Sequence, residues 1–283
     1  PKLGLIIIKP WKGKTMEFKT KKDMLLKAKV YSVYSLLAKP DSNPKVAKNG
    51  KVGVLTSPLH LAPANLSGYE VCPHSLNIGK DGQKSGCRQA CLHTAGNPAY
   101  MAQKEKSRIS RTKLYFENRP LFLAILKAEI ELHIKRAEKE NMFCAVRLNA
   151  TSDIPWESVK FFGSKNIMEF YPNVKFYDYT KGFKRALNHA KGLFPKNYHL
   201  TYSLAEGNDV KASEILKFGG NVAGVFKNGL PAFYTLNGSN FPVIDGDVHD
   251  YRPEDPKGSI VGLKAKGKAR KDNSGFARWH TQF

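Results

Sequence analysis

Three cysteines stand close together in this sequence, and thiols so grouped have a chemistry. Cys72, Cys87 and Cys91 fall within about twenty residues of one another, in a stretch with glycines at 79, 82 and 86. The Cys87-x-x-x-Cys91 spacing puts two sulfurs on one side of a helical turn. The glycines leave Cys72 free to fold back toward them. Thiolates arranged in this way suit iron or zinc. Three cysteines can hold a [4Fe-4S] cluster and leave one iron open to a fourth ligand or a substrate. Alternatively, His74 or His93 completes a closed tetrahedral Zn site. The plainer alternative is three unrelated thiols. A disulfide is disfavoured in the reducing compartment that the chain is expected to occupy. The expectation is a metal centre, iron–sulfur ahead of zinc. Cys144, far off in sequence and near the start of a strand, reads as a core cysteine.

A second set of residues lies where strands end. Asn149, Ser152 and Asp153 follow one apolar run; Asp178, Thr180 and Lys181 follow the next; Ser203, Glu206 and Asn208 a third. Lys227 follows a fourth, and Asp245 and Asp247 a fifth. Any one of them could simply cap the helix behind it. Together they read as the rim of a site, with Asp153, Asp178, Glu206 and Asp245 as candidate catalytic carboxylates that position a substrate or hold magnesium.

Charge points to the partner. Lys plus Arg is 46 against 24 Asp plus Glu, a formal net charge of +22 over 283 residues. Such an excess repels itself in a folded chain. A polyanion relieves it, and nucleic acid gains further from counterion release. The bases cluster. Lys104, Lys106, Arg108, Arg111, Lys113 and Arg119 fall on one expected helix, with Lys104, Arg108 and Arg111 at the spacing of a shared face. Lys264, Lys266, Lys268, Arg270 and Lys271 form a basic tail, expected to be extended, and Phe276, Trp279 and Phe283 follow. The basic N-terminal segment carries Trp11, Phe18, Tyr31 and Tyr34. Bases interleaved with rings suit a single strand of DNA or RNA without sequence readout. No run is long and apolar enough to span a bilayer, and Leu3–Ile8 is too short for a signal peptide. A cytoplasmic protein with no membrane partner is expected.

The elements that must position these residues follow from periodicity. Strands are expected at Phe143–Asn149, Val174–Tyr179, Tyr198–Ser203, Asn221–Phe226, Val243–Asp247 and Ser259–Leu263, with shorter runs at Leu5–Ile8 and Lys51–Thr56. Helical patterns cover 98–116, 120–140, 157–170, 182–191 and 209–218; Leu121, Ile125, Ala128, Leu132 and Ile134 draw the clearest stripe. Alternating strands and helices make βαβ units on a parallel sheet. The expected fold is α/β, a complete or partial (β/α) TIM-like barrel, with a doubly wound open sheet as the alternative. The expected organisation is a basic extension over 1–66, the barrel-like unit over 67–265 with its cysteine loop at 72–91, and a tail over 266–283. In either architecture function gathers at the carboxyl ends of the strands.

Several segments resemble one family. They are Cys72-Pro-His with Cys87-Arg-Gln-Ala-Cys91, Arg147-Leu-Asn-Ala-Thr-Ser-Asp153, Tyr177-Asp-Tyr-Thr-Lys181, and Val261 to Asp272 with Ser274-Gly-Phe276. The likeness, over about 67–278, is to the bacteriophage family named gene product 88. It implies a virus-encoded protein acting in an infected bacterial host cell, and it transfers no catalytic residues. A strand, a cysteine loop and then β/α units is also similar in outline to radical enzymes that use S-adenosylmethionine, although their full three-cysteine signature is missing.

Three functions compete on these grounds. The first is a protein that holds single-stranded nucleic acid during phage replication or transcription, its cysteine loop fixed by metal. The second is an iron–sulfur enzyme acting on a nucleic acid or nucleotide. The third is a magnesium-dependent nuclease. Charge favours the first.

Overall fold

The computed structural model of the chain describes residues 6–8, 16–18, 20–76 and 102–280. Its centre is a nine-stranded sheet. The long helix pair comes first after the cysteine loop: α4 (Ala102–Glu117) and α5 (Arg119–Lys139). Asn118 caps α5 through its side chain, and Pro120 sits in the first turn, where a missing N–H costs nothing. Upstream lie β1 (Ile6–Ile8) and β2 (Met16–Phe18), which pair with each other, and then α1 (Lys21–Ala28), α2 (Pro44–Ala47), β3 (Val54–Pro58) and α3 (Ala64–Ser67). Thr20 and Asp23 close a capping box at the start of α1.

Downstream of α5 the chain alternates. β4 (Phe143–Arg147) leads through α6 (Ile167–Phe170) to β5 (Lys175–Thr180). Then come α7 (Phe183–Ala190), β6 (Tyr198–Ser203), α8 (Asp209–Lys217) and β7 (Asn221–Phe226). The hairpin β8 (Phe233–Leu236) and β9 (Ser239–Asp245) follows, then β10 (Ile260–Lys264) and β11 (Ala277–Arg278). The strand order is β3-β4-β5-β6-β7-β10-β9-β8, and β11 pairs with β7 beyond the point where β6 leaves it. Every pairing in this sheet is parallel except β8 with β9. The path ends at β3 and β8, and no pairing among the described residues closes it. The α/β class and the parallel sheet expected from periodicity are therefore present, and the structure is a mixed α/β fold.

Side-chain alternation divides the sheet into two faces. Val146, Phe176, Tyr198 and Leu200 share a core with Leu121, Phe122 and Ile125 of α5. Tyr202, Val222 and Ile260 continue that face under α8 through Ala212, Ile215 and Leu216. The opposite face carries a smaller cluster, Val54, Ala145, Tyr177 and Tyr251. Helices cover one face; the other, open only in that no helix lies on it, is covered by irregular chain around residue 250.

Three expectations on elements change. β3 pairs with β4 over Val54↔Phe143 to Pro58↔Arg147, so the sheet begins before residue 67. The helix expected over 157–170 is a turn at Trp156–Ser158 followed by α6 alone. Phe162 and Gly163 take positive φ between them, which no helix tolerates, and Asn166 caps a fresh start. The tail is not an extended arm: Gly267–Lys271 forms a 3₁₀ turn and β11 joins the sheet. Among the described residues no helix is long and apolar enough to cross a membrane.

Candidate nucleic-acid interface at the carboxyl ends of the strands

The strand-end residues do assemble, though largely with one another. Asp178, on the helix-covered face of β5, is fully buried. Its carboxylate accepts from the Asn149 N–H at 2.6 Å, from Asn149 Nδ2 at 3.3 Å and from the Tyr198 hydroxyl at 3.2 Å. Burial pushes this carboxyl up to about 7, against the pull of those donors. Asp153 stands beside it on the loop after β4. It accepts from Arg185 Nη1 at 2.6 Å and from the Lys181 N–H at 2.9 Å. Arg185 also takes Glu157 in a fork, at 2.5 and 2.8 Å. The fork arrangement is specific to a planar guanidinium. Thr180 caps the turn by accepting from the Gly182 N–H.

The start of the cysteine loop reaches this rim. The Asp153 N–H donates to the Val71 carbonyl at 2.7 Å, and Cys72 Sγ lies 4.0 Å from the Thr151 carbonyl. His74 packs against Gly182; a Cβ there would come within 2.9 Å of its Nε2. Cys87, Cys91 and His93 lie outside the described residues. Among the described residues no three His, Cys, Asp or Glu side chains form a group that could hold a metal ion. The expectation of a [4Fe-4S] cluster, or of zinc, is corrected on that finding. Asp153, Asp178, Glu206 and Asp245 are not gathered into a magnesium site either. Asp178 is sealed in the core and Asp153 is bound to Arg185. Glu206 lies on the loop after β6, and Asp245 is at the end of β9, with Lys264 at 3.9 Å. Cys144 behaves as expected: half-buried against the helix-side core, its thiol is pushed up to about 12 by burial.

The basic residues divide. On α4, Lys104 and Lys113 are exposed, but Arg111 turns inward and donates from Nε to the Ser35 carbonyl at 2.8 Å, and Arg119 lies over the Tyr115 ring. Arg108 is half-buried. The shared basic face expected on this helix is therefore broken by packing against the N-terminal segment. After β10 the opposite holds. Lys264, Lys266, Lys268, Arg270 and Lys271 are all exposed around the 3₁₀ turn; among the described residues only Lys264 and Lys266 of this group pair with acids, Asp245 and Asp247. β7 and β10 are parallel neighbours, so this basic lip adjoins the carboxyl end of β7. There Lys227 donates to the Asp272 carbonyl and lies over the Trp279 ring, which is 67% exposed. Arg278 ties the segment down through Asp209 at 2.6 Å, while Lys181 lies over Phe276.

Sequence reasoning missed the open face. There Arg147 Nη1 donates to Asp250 at 2.8 Å, and the Tyr177 hydroxyl donates to the same oxygen at 3.1 Å. Asn49 Nδ2 donates to Tyr177 and to Thr56, and the Asp250 N–H donates back to Asn49 Oδ1. Lys45 stands 3.8 Å from the carboxylate's other oxygen. Although burial opposes it, the cations Arg147, Lys45 and Arg252 hold Asp250 below the usual carboxylate range. The one signal in the sequence is Arg147 itself, a charge at the end of a strand buried on both faces.

With both faces and the rim described, the family can be placed. Residues 35–280 match the family described as Gene product 88. The chain belongs to that family. No curated protein and no solved structure matches it. The gene product 88 match starts upstream of β3 and ends past β11, so it takes in the rim, the basic lip and the open face together.

Proposed function

We propose that this gene product 88 protein binds single-stranded nucleic acid, without sequence readout, along the basic lip at the carboxyl ends of β7 and β10. One observation carries the reading. Five exposed bases, Lys264, Lys266, Lys268, Arg270 and Lys271, stand at the same strand ends as an exposed Trp279 ring that has Lys227 over it at 5.2 Å. Exposed bases track a phosphate backbone, and a presented ring stacks on a base. The formal charge of +22 supplies long-range attraction to the same partner. The consecutive order β3 to β7 supports reading the sheet as a partial (β/α) barrel, in which binding gathers at this end. A cytoplasmic setting in an infected bacterium, alongside phage replication or transcription, suits such a protein.

The test is fluorescence anisotropy of a labelled 20-nucleotide oligothymidylate across a salt series. Single-strand binding that weakens steeply with salt is expected. Lys266→Ala, Lys268→Ala and Arg270→Ala together should flatten the log–log slope by about 2, at roughly 0.7 for each phosphate no longer neutralised. Trp279→Ala should weaken binding by about tenfold through lost stacking. A salt slope identical to wild type in the triple variant overturns the lip as the interface.

A further inference from the structure

The open face contains buried polar atoms that bond to nothing among the described residues. Arg147 gives Nη1 to Asp250, but its Nε is buried without a partner. Tyr179, whose ring lies 4.8 Å from the same guanidinium carbon, has a buried and unpartnered hydroxyl. His60 has a buried and unpartnered Nδ1. Such atoms are rare because each forfeits its bonds to water. Here they converge. Pro58 is in register with Arg147, and His60 is two residues further along the same edge of β4. On the other edge Val146 is in register with Phe176, which sets Tyr177 beside Arg147 and Tyr179 one step nearer the carboxyl end. His60, Arg147 and Tyr179 thus cluster at the carboxyl ends of β3, β4 and β5.

Charge says what would fill the place. Around His60 stand Arg108, Arg147 and Arg111 with one acid, Asp250; around Tyr179 stand Asp250, Arg252, Arg147 and Asp255. Asp250 is already shared among Arg147, Lys45 and Arg252. The cations outnumber the acids. Burial first, and those arginines next, hold His60 down to about 3, so its ring is neutral and can present an N–H. Three donors, from β4, β5 and the segment after β3, match a tetrahedral oxyanion, which offers oxygens in separate directions, better than a flat carboxylate.

We infer that Arg147 Nε, the Tyr179 hydroxyl and His60 Nδ1 bind a phosphate group. That it belongs to nucleic acid rests on the function proposed above; that the site takes phosphate does not. The orphaned hydroxyl contributes no hydrogen bond to the fold, so Tyr179→Phe is a clean probe.

The experiment titrates inorganic phosphate into the full chain by calorimetry at fixed ionic strength, with chloride as control, and repeats it with Tyr179→Phe and His60→Gln. Wild type should bind, and each variant should weaken binding by about tenfold, the value of one charge-assisted hydrogen bond. Without phosphate, Tyr179→Phe should melt no lower than wild type, because it removes an unsatisfied group. Absence of phosphate binding by wild type, or unchanged affinity in both variants, overturns the site. Oligothymidylates with and without a 5′-phosphate identify the source. A preference for the phosphorylated end that Tyr179→Phe abolishes assigns the site to a nucleic-acid terminus. Phosphate binding with no oligonucleotide binding keeps this site and sinks the basic lip; the reverse keeps the lip and sinks this site.

Discussion

Asp178 and Asp250 are both fully buried, on opposite faces of one sheet, and they ionise in opposite directions. Asp178 faces the helices, and the atoms that touch its oxygens belong to neutral donors: a backbone amide, a carboxamide and a phenol. Arg147 and Arg185 act on it from further away, and desolvation prevails. Asp250 faces the open side and is met directly by Arg147 and, more loosely, by Lys45. There the cations prevail over desolvation. Burial alone therefore does not set the state of a carboxylate; whether its immediate partners carry charge decides. The comparison also separates roles. The Asp178 side is closed and mutually satisfied, as a structural network should be. The Asp250 side is charged and incompletely satisfied, as a binding site can be.

The largest test of this contrast is removal of each carboxylate. Asp250→Ala leaves Arg147 buried without its partner and strips Tyr177 and the Asn49 loop of their anchor. A loss of about 3–5 kcal/mol of folding stability is expected, the usual consequence of breaking a buried ion pair from one side. Asp178→Asn keeps the shape and leaves one donor facing another. It should cost about 1–3 kcal/mol. Urea denaturation at pH 7 measures both. Equal losses would mean that the charge on the open face adds nothing beyond hydrogen bonding.

Next in size is the pH response, where the two signs oppose. The carboxyl of Asp178 is raised to about 7 in the fold, above its unfolded value of about 4. Its contribution is complete below about pH 4 and is lost as pH rises through 7. The carboxyl of Asp250 is lowered, so its contribution is present above about pH 4 and is lost as pH falls through its folded value. Subtracting the stability curves of Asp178→Asn and of Asp250→Asn from wild type isolates these terms from the background of a very basic protein. The Asp178 difference should fall as pH rises from about 4 to 7 and be flat above, and the Asp250 difference should be flat there and fall only in acid. Slopes of the same sign would contradict the distinction between neutral and cationic partners.

How much of this was legible depends on how local each signal is. β4 to β7 and α5 could be read because their apolar residues repeat at the period of the element itself. The β8–β9 hairpin also left a local mark, Asn237-Gly238 at positive φ, which is the favoured two-residue turn, yet only the second strand was anticipated. α1 was hidden because lysines surround Met24 and Ala28, the two residues it buries. Asp153 lies on the loop after β4, where the end of that strand put it, but Asp178 lies inside β5 and turns into the core. Their partners, Arg185 and Tyr198, come from later elements and decide what the carboxylates do. The pair of Arg147 with Asp250 spans 103 residues and leaves no pattern along the chain. Cysteine spacing raised the expectation of a metal centre, but a metal site needs several ligands brought together by the fold, and among the described residues no such group of three forms.

The finest test exchanges one phenol on each face. Tyr177 gives its hydroxyl to Asp250 and accepts from Asn49; Tyr198 gives its hydroxyl to Asp178 and accepts from Arg185. Each bridges a buried carboxylate to a second residue, so Tyr177→Phe and Tyr198→Phe remove the same atom from the two settings. Both should destabilise by about 1–2 kcal/mol. What separates them is the proton. Loss of Tyr198 takes a donor from a carboxylate that has only neutral ones in contact, so the Asp178 midpoint should move further up. Loss of Tyr177 leaves Arg147 and Lys45 in place, so Asp250 should stay ionised with little change. Following both carboxyl carbons by NMR through a pH titration measures the two shifts. A larger displacement at Asp250 than at Asp178 would place the governing interaction in the hydrogen bond rather than in the charge, and would reverse the reading of the two faces.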